Sequence, residues 1–150
     1  MSTPLKFYAD YQQMEAPWCP RIPAHWQSKR LGSLLKERGE VNHDYAEQNV
    51  LSVLRDIGVI PYADKGNVGN KKSEDIARYK IVRPNDIVLN SMNVIIGSVG
   101  RSRYQGCLSP VYYVLTPRNS ELTAEFAESI FQVKPFQQSL VRIGYGILAH

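Results

Sequence analysis

The chain has only two cysteines in 150 residues, Cys19 and Cys107, far apart and with no CxxC around either. That excludes a zinc ribbon and a disulfide framework, and fits a reducing compartment. Its three histidines, His25, His43 and His150, show no HxH or HxxxH spacing, so no metal site is expected. Neither a GxxxxGK[ST] phosphate loop nor a GxSxG elbow is present. No apolar run approaches the roughly 20 residues that a bilayer requires. The opening MSTPLKFYADYQQ lacks the apolar stretch of a secretory signal. The expectation is a soluble, cytoplasmic chain, with enough apolar residues (43%) for the core of one domain.

What the chain does have is a localised excess of positive charge. Residues 1–54 carry six basic and six acidic side chains, and residues 106–150 carry three of each. Between them, residues 55–105 carry nine basic side chains (Arg55, Lys65, Lys71, Lys72, Arg78, Lys80, Arg83, Arg101, Arg103) against five acidic ones. The net charge of +4 therefore belongs to the middle third. Such a field would concentrate a polyanion such as DNA; an ordinary solvated surface is the alternative.

The chain opens with an arm, residues 1–19. Pro17, Pro20 and Pro23 recur every third residue and favour extended geometry; they also form a PxxP pattern of the kind SH3-type domains bind. Trp18, Ile22 and Trp26 are expected to pin this arm to the domain. Leu31, Leu34 and Leu35 fit either a strand or a turn of helix. Residues 49–54 read as a buried strand and 56–58 as a turn. The stretch DKGNVGNKKSED reads as a loop, 74–79 as a short helix, and Arg83-Pro84-Asn85-Asp86 as a turn into a strand at 87–89. Residues 94–99 and 111–115 are further expected strands, separated by a glycine-jointed loop. Ser120 is expected to cap a helix from Glu121 with Leu122, Phe126, Ile130 and Val133 on one face. Pro135 ends or kinks it, and a second helix would run through Leu140 and Val141 to Gly144. The pattern is one α+β domain, strands in the middle and helices at the C-terminal end.

Two enzyme patterns are imitated poorly. Ser109-Pro110-Val111-Tyr112 resembles the [DNS]-P-P-[YF] motif of amino-methyltransferases, whose aromatic ring stacks on a flipped base, but Val111 replaces the second proline and no glycine-rich cofactor loop precedes it. Asp86 with Gln132-Val133-Lys134 is a weak match to a Mg²⁺ nuclease's PD…(D/E)xK. The polar loops offer recognition chemistry instead. Asn93, Arg101, Arg103 and Gln105 carry the forks that fit base edges, whereas Lys65, Lys71 and Lys72, with Asn67, Asn70 and Tyr104, suit phosphate and sugar.

The order of motifs resembles the specificity subunit of type I restriction–modification enzymes, and in particular one target recognition domain. The resemblance rests on Ile22-Pro23-Ala24-His25-Trp26 followed by Lys29-Arg30-Leu31-Gly32, on Val82 to Met92 around Arg83-Pro84-Asn85-Asp86, and on Ile96-Gly97 with Gly106 to Leu115. It covers roughly residues 20–148, and residues 20–150 would form the recognition domain. It implies a mixed fold with a curved, largely antiparallel sheet. It also implies a non-catalytic chain that binds one half of a bipartite duplex site and directs methyltransferase subunits and a motor–nuclease subunit. No cofactor is then expected on this chain, S-adenosylmethionine belonging to the methyltransferase partner. The spacer helix and second recognition domain of the family are not in this sequence, so a fragment or truncated form is expected. A protein-interaction module with an incidental basic face, or a methyltransferase fragment, are the other readings.

Overall fold

The computed structural model describes residues 3–66, 73–91 and 97–140. In chain order the described elements are β1 (Tyr11–Gln13), β2 (Arg21–Pro23), the single turn α1 (Leu31–Leu34), β3 (Leu35–Glu37), β4 (Leu51–Leu54) and β5 (Gly58–Pro61). They continue through a 3₁₀ turn (Tyr62–Asp64), β6 (Lys80–Val82), β7 (Ile87–Asn90), β8 (Val99–Arg101), β9 (Gly106–Leu108) and β10 (Tyr112–Pro117), and end with α2 (Ala124–Phe131) and α3 (Lys134–Ser139). The fold is mixed α+β, and every ladder between these strands is antiparallel. The described strands form no closed barrel.

The central sheet runs β3-β10-β7-β8. Because side chains alternate along a strand, the apolar run Ile87-Val88-Leu89 feeds two cores at once. Ile87 and Leu89 pack with Leu35, Val99 and Leu115 against Ala127, Phe131, Phe136 and Leu140 from the helical end. Val88 faces the other way, joining Tyr112 and Val114 against Leu51, Val53, Val59, Val82 and Leu108 of the β4–β5 hairpin and the β6–β9 ladder. The sheet is therefore covered on both sides, and fully burying each of these side chains contributes about 1.5–3 kcal/mol. Glycine permits one crossing that this layering needs: a Cβ on Gly100 would stand 2.8 Å from the Gly58 Cα.

Several local expectations change. Residues 74–79 form no helix but a bend at Glu74 and a turn at Ala77-Arg78, because Asp75 Oδ1 accepts from the Ala77 N–H (2.9 Å) and the Tyr45 hydroxyl (2.8 Å); a side chain that captures local backbone donors competes with the helix. The cap of α2 is Thr123, whose hydroxyl accepts from Phe126 N at 3.2 Å, and not Ser120. Asn119 Oδ1 already takes the Glu121 N–H at 2.8 Å in a preceding turn. Ala127 and Phe131 are the buried residues of α2, while Phe126 is exposed. Arg101 ends β8 instead of lying in a loop. The arm is pinned as expected, Trp18 edge-on to Phe136 and Trp26 edge-on to Phe126. A hairpin between β1 and β2 joins the residues on either side of position 19. The expected strand at 94–99 and the second helix beyond Leu140 lie partly outside the described residues.

Candidate nucleic-acid interface

The site is built around the end of the β6–β9 ladder. Its last pair is Val82 with Gly106, so Arg83 leaves one strand across from Gln105 entering the other. The Arg83–Asp86 turn has the shape its sequence requires. Proline presets φ, and Asn85 sits at φ +75°, a left-handed position that asparagine tolerates. This turn is stitched to the β8–β9 connection by Asn85 N to Ser102 O and Ser102 N to Asp86 O, both 2.8 Å. Buried Ser102 then shapes the connection itself. Its hydroxyl donates to Tyr104 O (2.7 Å) and accepts from Tyr104 N (3.1 Å), which turns Arg103, Tyr104 and Gln105 outward.

Gly106 holds the other flank. A Cβ there would collide with the Asn49 carbonyl oxygen and stand 2.8 Å from Leu51 Cγ. The chain at Asn49 approaches closely enough for its side-chain amide to donate to Gln105 O at 2.8 Å. Arg103, Tyr104 (40% exposed) and Gln105 thus form an exposed tip beside Arg83. Among the described residues Arg103 makes no ion pair.

The base of the tip is electrostatically fixed. Asp86, 1% exposed, receives a bidentate pair from Arg38 (Nε to Oδ2 2.6 Å, Nη2 to Oδ1 2.8 Å) and the Arg83 backbone N–H at 2.9 Å. The hydrogen bond to Asp86 is the first cause that holds the Arg38 guanidinium proton more tightly than usual. Arg83 gives its guanidinium to Glu40, Nη2 to Oε2 at 2.9 Å. That pair, led by the Arg83 bond, holds the Glu40 carboxyl below its ordinary value.

Among the described residues, most of the basic side chains of the middle third that form ion pairs do so with carboxylates from other parts of the chain. Lys80 pairs with Glu37 at 2.9 Å and Arg55 with Asp56 at 3.2 Å. Arg101, its side chain 13% exposed, donates to Glu128 at 2.8 Å and to Asn85 at 2.9 Å, with Glu125 at 3.5 Å. Glu37, Glu40, Glu125 and Glu128 all belong to the flanking thirds, so folding brings acidic groups to the surplus that the sequence isolates. Lys65 is 6% exposed, its ammonium 4.6 Å from the centre of the Tyr62 ring. Of the candidate contact residues, the fold brings Arg103, Tyr104 and Gln105 together and holds Arg101 against α2. Asn67, Asn70, Lys71, Lys72 and Asn93 lie outside the described residues. Arg83 and Asn49 are additions. Their signal in the sequence was adjacency to a proline turn and to a strand start, which says nothing of what lies across the ladder.

Among the described residues, the two imitated enzyme motifs are drawn into other contacts. Tyr112 of Ser109-Pro110-Val111-Tyr112 is 3% exposed and packed in the core, where its ring cannot stack on a base. Asp86 is held by Arg38, while Lys134 pairs with Asp56 at 2.8 Å. Among the described residues no cluster of His, Cys, Asp or Glu could hold a metal. None of the helices they form is long and apolar enough to cross a membrane. Both cysteines are free; burial first, and Glu47 second, push the Cys107 thiol up to about 11. Compared with family models, curated proteins and solved structures, the chain matches none.

Proposed function

We propose that this chain is a non-catalytic, sequence-specific reader of duplex DNA, the target recognition part of a type I restriction–modification specificity subunit. The observation that carries the reading is the exposed tip at which Arg83, Arg103, Tyr104 and Gln105 meet on a rigid base. The guanidinium of Arg103 can span guanine O6 and N7, and the Gln105 amide can bridge an adenine edge. Arg83 supplies a phosphate contact, with Tyr104 packing on sugar; Lys71 and Lys72 are the further phosphate candidates that the sequence offers. In the full complex the chain would direct methyltransferase subunits and a motor–nuclease subunit in the cytoplasm, with S-adenosylmethionine on the methyltransferase.

Binding to a randomised duplex pool at stepped salt tests this. Two to four phosphate contacts give a logarithmic salt slope of about −2 to −4, together with enrichment of one short half-site. A slope near zero, or a pool returned unchanged, would count against the reading.

A second reading is favoured by a different part of the molecule. A cleft of about 360 Å³ lies between the arm and α2, lined by Trp18, Ile22, Trp26, Leu31 and Ile130, with Trp26 and Phe126 partly exposed beside it. A protein-interaction module would use that apolar face, and its complexes would persist in high salt where phosphate contacts fade.

A further inference from the structure

We propose that Glu40 acts as a built-in competitor for the phosphate-binding edge of Arg83, so that duplex binding requires one carboxylate to be exchanged for one phosphodiester. The inference rests on the duplex-DNA reading above and adds to it a residue that sets affinity without touching DNA.

Three features of the geometry carry it. First, Glu40 occupies Arg83 in the bidentate manner that a phosphate would, Nη2 to Oε2 at 2.9 Å and Nε to Oε1 at 3.4 Å; guanidinium forks accept carboxylate and phosphate through the same edge. Second, the pair is exchangeable. The two side chains are 47% and 42% exposed, whereas the backbone on each side is fixed, Arg83 N to Asp86 Oδ2 at 2.9 Å and Ile81 N to Glu40 O at 3.0 Å. Only the guanidinium and the carboxylate need move. Third, Glu40 is dispensable to its other partner. Arg38 contacts it through Nη1 at 3.2 Å but is already held by Asp86 through Nε and Nη2. Removing the Glu40 charge therefore leaves the buried Arg38–Asp86 pair intact and frees Arg83, the Arg38 Nη1 being the other donor that loses its carboxylate partner.

Without Glu40, binding no longer breaks an exposed ion pair, and a negative charge leaves the path of the DNA backbone. An exposed pair of this kind corresponds to roughly a two- to fivefold change in affinity.

The test is anisotropy titration of a mixed-sequence duplex of about two helical turns with the intact chain, Glu40→Gln, Arg83→Gln and the double variant. Glu40→Gln is expected to tighten binding about two- to fivefold, and the gain is expected to vanish when Arg83 is also Gln. An equal gain with and without Arg83 would reduce the effect to general charge removal and overturn the proposal. So would unchanged or weaker binding by a Glu40→Gln chain that melts like the wild type. Arg83→Gln in the wild-type background gives an arm independent of how Glu40 variants fold. On the duplex that the wild type enriches, it is expected to lose less affinity than Arg103→Gln, whose cation has no carboxylate to leave, and an equal or larger loss would contradict the exchange. Failure of the wild type to bind any duplex at low salt would instead remove the DNA reading itself, and this inference with it.

Discussion

Beneath α2, Arg101 gives its guanidinium to Glu128, Glu125 and Asn85 and is left 13% exposed. Two residues further along the chain, Arg103 stands in solvent with no carboxylate in ion-pair reach among the described residues. The same residue type, at the last position of β8 and two positions beyond it, serves the fold in one place and is left without an ion pair in the other. What separates them is the neighbouring layer. Helix α2 brings its acidic side over the end of β8, while among the described residues Arg103, Tyr104 and Gln105 stay exposed in the β8–β9 connection that Ser102 turns outward. Positive charge counted along a sequence is therefore a poor guide to positive charge on a surface. The useful quantity is how many guanidinium forks remain unclaimed after folding.

That contrast can be broken most severely at Arg38. Arg38→Ala would leave the Asp86 carboxylate buried without its partner, and the expected loss is about 3–5 kcal/mol of stability in a urea titration. A loss below about 1 kcal/mol would mean that the base of the tip is not held by this pair. Next, Gly106→Ala forces a methyl group against Asn49 and Leu51, and overpacking of this kind costs about 1–3 kcal/mol. Arg101→Ala sharpens the comparison directly. It is expected to lower stability by about 1–2 kcal/mol through its charged hydrogen bonds while leaving the order of preferred duplexes unchanged. Arg103→Ala should do the reverse, altering stability by no more than about 0.5 kcal/mol while flattening sequence preference. Smallest in consequence is Cys107. With its thiol pushed up to about 11 by burial, alkylation at pH 8 should run roughly a hundredfold slower than for an unperturbed thiol, as read by mass spectrometry of the folded chain.

Much of the sheet was legible because its signals are local. The apolar runs at Leu51–Leu54 and Ile87–Asn90 and the Pro84-Asn85 turn are each decided by residues within a few positions of one another. The α+β order, with helices last, follows from the same signals. The helix expected at 74–79 fails for an equally local reason that composition hides, the single bond from Ala77 to Asp75. The candidate site was harder. Arg101 looks like Arg103 in the sequence, and its acidic partners lie 24 and 27 residues downstream. Glu40 lies 43 residues before Arg83. Only the folded register brings such pairs together, so neither the pairing of Arg101 with α2 nor that of Arg83 with Glu40 could be read from spacing.

The most direct test is selection from a randomised duplex pool with the wild-type chain and with Arg103→Ala and Arg101→Ala chains of verified fold. Enrichment of one short motif by the wild type, kept by Arg101→Ala and lost or relaxed at a single position by Arg103→Ala, is the result expected of a reading tip. A pool that emerges unenriched from the wild type, or an identical motif from all three chains, would contradict it.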